Sequence, residues 1–157
     1  MFILCSLSSG HLWEELQLLL QLSEWWDLRL CHGGLPLPPG CGLGAYAYAM
    51  ERLVLPALEA FQPDLIIVAC GYDACAKDPL GKMLLNSQAF ATMTAQVKAV
   101  AERCCAGKLV IVHEGGYSEG YVPLCGHAVI QTLAGSTTTV FDPQNDEIAA
   151  WGYQALQ

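Results

Sequence analysis

The chain has 157 residues, of which 54% are hydrophobic and 14% are charged, and its formal net charge is −8. This composition is typical of one domain with a buried core and excludes a disordered chain. The negative charge argues against a nucleic-acid-binding surface, and no apolar run approaches the ~20 residues that a membrane span requires.

The amino-terminal third predicts helices separated by a loop. Residues 11–30 are rich in Leu and Trp and predict a helix of moderate amphipathicity. Five glycines and three prolines within 31–44 predict a loop. A helix is predicted at 45–61, and we expect Pro56 to kink or restart it because proline has no backbone N–H to donate.

The rest of the chain alternates strands with helices. Strands are predicted at 64–70 and 108–113, and helices at 87–105, 121–134 and 147–156. This order predicts βαβ crossovers, and therefore an α/β fold with a parallel sheet flanked by helices.

Two side chains that can do chemistry follow the two predicted strands. Asp73 comes just after the first strand, and Tyr117 comes just after the second. In open α/β sheets, sites form beyond the carboxyl ends of the strands, so both groups are expected at one sheet edge. A carboxylate can bind a metal, and a phenol can donate a hydrogen bond to a developing oxyanion.

Seven segments, taken in order, resemble the zinc-dependent histone deacetylase family, and especially its bacterial class II-like amidohydrolases. They lie between about Leu35 and Gly135 and comprise Pro36–Gly40, Val54–Leu58, Pro63–Ile66, Gly71–Ala74, Asp78–Gly81, Glu114–Ser118 and Tyr121–Pro123. The resemblance implies an arginase/deacetylase-like fold and a hydrolase of acetyl-lysine or related acylamides.

The resemblance also implies roles for particular residues. Asp73 would be a zinc ligand, and the hydroxyl of Tyr117 would polarise the substrate carbonyl. Leu80 would line the substrate tunnel, while Gly115 and Gly116 would let the acyl-lysine chain pass close to the backbone. In a working site, an Asp73 carboxylate oxygen should come within roughly 7 Å of the Tyr117 hydroxyl.

Other elements of the family pattern do not occur in this sequence. The family's His-His pair and Asp-x-His ligands precede the matching stretch, but only 34 residues precede Leu35 and none forms Asp-x-His. The resemblance therefore implies that 34–157 is the carboxyl-terminal portion of a deacetylase domain, after an unplaced helical segment at 1–33. One zinc ligand is present, so weak zinc binding and little activity are expected. His113 and His127 are interpreted as packed histidines, and His113 is expected to point into a helix layer.

Two other functions remain as alternatives. Gly116–Gly120 fits the G-x-S-x-G pattern of a serine hydrolase around Ser118, although no His follows the later acidic residues as that mechanism requires. A non-catalytic domain would instead bind a partner, or a second copy, through exposed apolar surface. Asp78 is interpreted as a structural turn residue.

The cysteines and the first residues bear on the cellular compartment. Eight cysteines without any C-x-x-C spacing predict reduced thiols. The start of the chain lacks the basic region of a signal peptide. The expected location is the cytoplasm. If the source is eukaryotic, the nucleus is an alternative location.

Overall fold

The structure is a computed structural model that describes residues 2–6, as backbone only, together with 37–138 and 140–151. The predicted helix at 11–30 lies outside these residues. The strands are β1 (Phe2–Ser6), β2 (Leu65–Cys70) and β3 (Leu109–His113). The helices are α1 (Leu43–Ala49), α2 (Leu55–Phe61), α3 (Ser87–Cys105), α4 (Val122–Ala134) and α5 (Asn145–Ala149).

The three described strands form one sheet in the order β1-β2-β3. Strands β2 and β3 are parallel, with Ile66 opposite Leu109 and Cys70 opposite His113, which confirms the predicted pair and its crossover through α3. Strand β1 runs antiparallel to β2 and was not predicted. A strand of five residues is too short to show a periodicity that identifies it by itself.

The helical region around Pro56 is irregular, as predicted. Between α1 and α2, residues Met50–Val54 form a wider π-helical turn, in which the Leu55 N–H donates to the Met50 carbonyl five residues earlier. Pro56 then lies in the first turn of α2. Proline has no N–H to donate, and its ring crowds the preceding turn. Regular α-helical hydrogen bonding is therefore interrupted at Pro56, and the π-helical turn lies directly before it.

Helix α3 follows the predicted bounds. The Asn86 side chain accepts from the Ala89 N–H at 2.9 Å, which satisfies an otherwise unpaired donor of the first turn. The helix packs closely against α4. Lys98 strengthens this contact, since its ammonium donates to the carbonyls of Thr132 and Leu133 at the end of α4. Gly135, with φ of 63°, directly follows α4, so this helix ends at the predicted residue 134.

Strand β3 is less buried than its apolar sequence suggested. Leu109 and Ile111 pack against the core, whereas Val110 and Val112 are each 46% exposed. His113 is also exposed, and its ring centroid lies 4.8 Å from that of Tyr72. The expectation that His113 points into a helix layer is therefore wrong, because the ring packs at the end of the strand instead.

The last described helix begins earlier than predicted. Helix α5 covers Asn145–Ala149, whereas the sequence indicated 147–156, and residues 152–157 lie outside the described part. Ile148 of α5 is fully buried in the same core as Ile66 and Phe90. Of the helices in the described ranges, none is both long and apolar enough to cross a membrane.

Candidate active site

Two loops meet at the carboxyl edge of the parallel strands. The first leaves β2 and forms a short 3₁₀ turn at Tyr72–Ala74. The second leaves β3 and leads to α4. Their backbones are joined directly, because the Tyr72 N–H donates to the Gly115 carbonyl at 2.6 Å and the Glu114 N–H donates to the Cys70 carbonyl at 3.2 Å. The loops that carry Asp73 and Tyr117 therefore lie side by side.

The Asp73 carboxylate lies between two glycines. A Cβ added to Gly71 would lie 2.7 Å from one carboxylate oxygen, and a Cβ added to Gly115 would lie 2.5 Å from the other. Both distances are too short for a real side chain, so glycine at each position leaves the space that the carboxylate occupies. Tyr46, which sequence analysis did not single out, is nearby: burial, together with Cys41 and Asp73, raises its pKa to about 12.

Asp78 links the two loops. One carboxylate oxygen accepts from the N–H groups of Leu80 at 2.8 Å and Gly81 at 2.7 Å, which confirms the predicted turn. The other oxygen accepts from the Tyr117 N–H at 2.7 Å. Desolvation would raise the pKa of Asp78, but these hydrogen bonds from Gly81, Tyr117 and Leu80 outweigh it and lower the pKa. The contact with Tyr117 spans 39 positions, so no local sequence signal could reveal it.

We predict that Asp78→Asn lowers the free energy of unfolding by about 1 kcal/mol at neutral pH, because an amide cannot accept all three bonds as well as a carboxylate can. The folded-state pKa of Asp78 is lowered. Its contribution is therefore fully present above the unfolded pKa of about 3.9 and is lost as pH falls through the folded value. Urea unfolding at several pH values measures this difference.

Glu119→Gln is the matched control, because Glu119 is exposed and lies two residues from Tyr117. The control variant should follow the wild type at every pH. An Asp78→Asn deficit that is equally large at pH 7 and well below pH 3 would show that the carboxylate charge is not responsible.

Tyr117 projects from a loop whose backbone is closely constrained. Its N–H is bound to Asp78, and the preceding Gly116 has φ of 134°. A Cβ on Gly116 would also lie 2.9 Å from the Cβ of Tyr72, so glycine is required there for two reasons. The side chain of Tyr117 is 55% exposed. Leu80, which lies in the loop that carries Asp73, is 66% exposed.

The other sequence candidates have ordinary structural environments. The Ser118 carbonyl accepts from the N–H groups of Tyr121 and Val122, as expected of a residue just before a helix. Hydrogen bonds within the described ranges do not connect its hydroxyl to a histidine. His127 is half-buried on α4. These environments give the serine-hydrolase alternative no support.

A complete metal site is not formed by the part of the chain that the structure describes. These residues contain no group of three or more His, Cys, Asp or Glu side chains placed to hold one ion. Zinc sites use three or four protein ligands. Asp73 offers one suitable carboxylate, but the described residues alone do not fit a zinc centre, and no reaction step through zinc follows from them.

The family model for the histone deacetylase domain matches residues 31–133. The chain belongs to the histone deacetylase family. It is 58% identical over 114 residues to the histone deacetylase-like amidohydrolase of Pseudomonas aeruginosa, covering 73% of this chain and 30% of that protein. It is 34% identical over 113 residues to a probable deacetylase of Archaeoglobus fulgidus, covering 71% of this chain and 32% of the relative.

Solved structures agree with this membership. The HDA15 HD domain aligns with a TM-score of 0.58 and 32% identity, covering 71% of this chain and 30% of that one. The histone deacetylase Clr3 aligns with a TM-score of 0.58 and 38% identity, covering 71% of this chain and 19% of that one. The predicted arginase/deacetylase-like α/β fold is confirmed. The chain spans about a third or less of the length of these family members.

Proposed function

We propose that residues 34–157 are the carboxyl-terminal portion of a zinc-dependent deacetylase that hydrolyses acetyl-lysine or a related acylamide to amine and carboxylate. The observation that carries the proposal is the direct joining of the Asp73 and Tyr117 loops at the carboxyl edge of β2 and β3. This is the edge at which α/β sheets form their sites.

Each candidate residue has a part in this proposal. Asp73 supplies one zinc ligand. The other ligands come from the region that precedes the matching stretch in the family. The phenol of Tyr117 donates a hydrogen bond to the substrate carbonyl oxygen and stabilises the oxyanion. Leu80 lines the path of the substrate, and Gly115 and Gly116 allow the acyl chain to pass. In the complete site, an Asp73 carboxylate oxygen should come within roughly 7 Å of the Tyr117 hydroxyl.

The proposed partners follow from charge and exposed surface. A net charge of −8 suits a cationic, lysine-bearing substrate better than a nucleic acid. The cytoplasm is the proposed location. A second candidate function, non-catalytic binding, is favoured by the exposed Val110 and Val112 of β3, which offer an apolar contact to a partner or a second copy.

The test compares this chain alone with a chimera in which the preceding region of the Pseudomonas aeruginosa relative is joined to residues 34–157. We expect the isolated chain to retain little zinc after dialysis and to leave an acetyl-lysine peptide intact, because it supplies one ligand. The chimera should retain about one zinc per chain and hydrolyse the peptide. Metal analysis and release of acetate measure the two properties.

The outcomes separate the candidate functions. Stoichiometric zinc and turnover by the isolated chain would show that its ligand set has been misjudged. A folded chimera that holds zinc but releases no acetate would contradict the deacetylase proposal and leave non-catalytic binding as the better account.

A further inference from the structure

A partly buried polar cluster outside the candidate site joins three segments of the chain. One oxygen of Asp142 accepts from the Ser87 hydroxyl at 2.6 Å and from the Tyr121 hydroxyl at 2.7 Å. The Tyr121 oxygen also accepts from the Ser87 N–H at 3.2 Å, and Tyr121 is only 1% exposed. The second oxygen of Asp142 accepts from the Gln144 N–H at 2.9 Å. Both carboxylate oxygens of Asp142 and the hydroxyls of Ser87 and Tyr121 are therefore hydrogen-bonded.

Two partners of Asp142, Ser87 and Tyr121, lie at the ends of the two loops that carry Asp73 and Tyr117. Ser87 is the first residue of α3, where the loop that carries Asp73 ends. Tyr121 immediately precedes α4, where the loop that carries Tyr117 ends. A single carboxylate thus holds together the far ends of both loops, while Asp78 and the Tyr72–Gly115 bond hold them together near the sheet.

The segment that carries Asp142 makes further contacts with the first loop. The Asn86 side chain donates to the Asn145 carbonyl at 3.4 Å. Lys77, in the middle of the loop, lies 3.8 Å from the Glu147 carboxylate and 5.4 Å from the centre of the Trp151 ring. Residues 142–151 therefore brace the Asp73 loop at its middle and at its end.

We propose that Asp142 is a positioning residue for the candidate site, which it acts on through Ser87 and Tyr121 by fixing the ends of the loops that carry Asp73 and Tyr117. The significance for catalysis rests on the proposed function. The effect on the loops does not, because it can be measured without zinc or substrate.

Native-state hydrogen exchange of the full chain tests the proposal. The reporter amides are those of Tyr72, Gly81 and Tyr117, each of which is bonded within or between the two loops. In Asp142→Asn we expect these amides to exchange about tenfold faster, because one amide oxygen replaces a carboxylate that accepts three bonds. Amides in the middle of α3, such as those of Val97 and Val100, should accelerate much less.

Asp146→Asn is the matched control, since Asp146 lies in the same segment but is exposed. It should leave the reporters at the wild-type rate. Unchanged reporters in Asp142→Asn would overturn the proposal. Equal acceleration of reporters and α3 amides would overturn it too, because that pattern indicates a general loss of stability.

If Asp142→Asn does not fold, Ser87→Ala decides the question, because it removes only one donor to the carboxylate. Selective acceleration of the Tyr72 and Gly81 amides in that variant supports the proposal, and wild-type rates at both amides overturn it.

Discussion

Gly81→Ala is expected to lower the free energy of unfolding by more than about 3 kcal/mol, the upper part of the range for overpacking. A Cβ on Gly81 would lie 1.7 Å from the carbonyl oxygen of Asp73 and 2.9 Å from its carbonyl carbon. Both are backbone atoms, so no side-chain rotation can relieve the clash. The two parts of the loop would have to separate, which would also break the bond from the Gly81 N–H to Asp78.

Urea unfolding followed by circular dichroism measures this loss as a lower midpoint. Gly120→Ala is the control, because a Cβ at Gly120 has nothing within 4 Å, and its stability should stay within about 0.5 kcal/mol of the wild type. Coincident midpoints for the two variants would show that the loop does not pack as described.

The second large effect concerns catalysis by the chimera. Tyr117→Phe should lower kcat by ~10²–10³ with little change in KM, because a donor to the oxyanion acts mainly in the transition state. The substitution keeps the ring and the N–H bond to Asp78, so the loop should hold its conformation. Steady-state kinetics on an acetyl-lysine peptide separate the two constants.

Tyr48→Phe provides the comparison, since Tyr48 is also an exposed tyrosine but lies on α1. This variant should keep the kcat of the unchanged chimera. A Tyr117→Phe chimera that turns over at the same rate as the Tyr48→Phe chimera would remove Tyr117 from the mechanism.

The parts of the fold that could be predicted from sequence are those set by local patterns. The apolar runs at 64–70 and 108–113 specify β2 and β3, and Asn86 and Gly135 mark helix ends. Strand β1 was missed because its pairing with β2 depends on residues about 60 positions away. The exposure of Val110 and Val112 was missed because an apolar strand does not reveal which of its faces is covered.

In the candidate site, too, the residues could be predicted from local sequence patterns, whereas their contacts with distant residues could not. Asp73, Asp78 and Tyr117 could be chosen from their motifs, and the placement of Asp73 and Tyr117 on adjacent loops follows from parallel strands. The Asp78 bond to the Tyr117 N–H and the Asp142 cluster could not be foreseen, because each joins residues that only the tertiary fold brings together.

The bond between Asp78 and the backbone of Tyr117 matters when segments are exchanged between members of the histone deacetylase family. The backbone of Tyr117 is held in place by the carboxylate of Asp78, which belongs to a different segment of the chain. A graft that moves only the Glu114–Ser118 segment into another scaffold therefore leaves behind the acceptor that holds it. The two loops form one transferable unit although they are separate in sequence, and protein engineers should move them together.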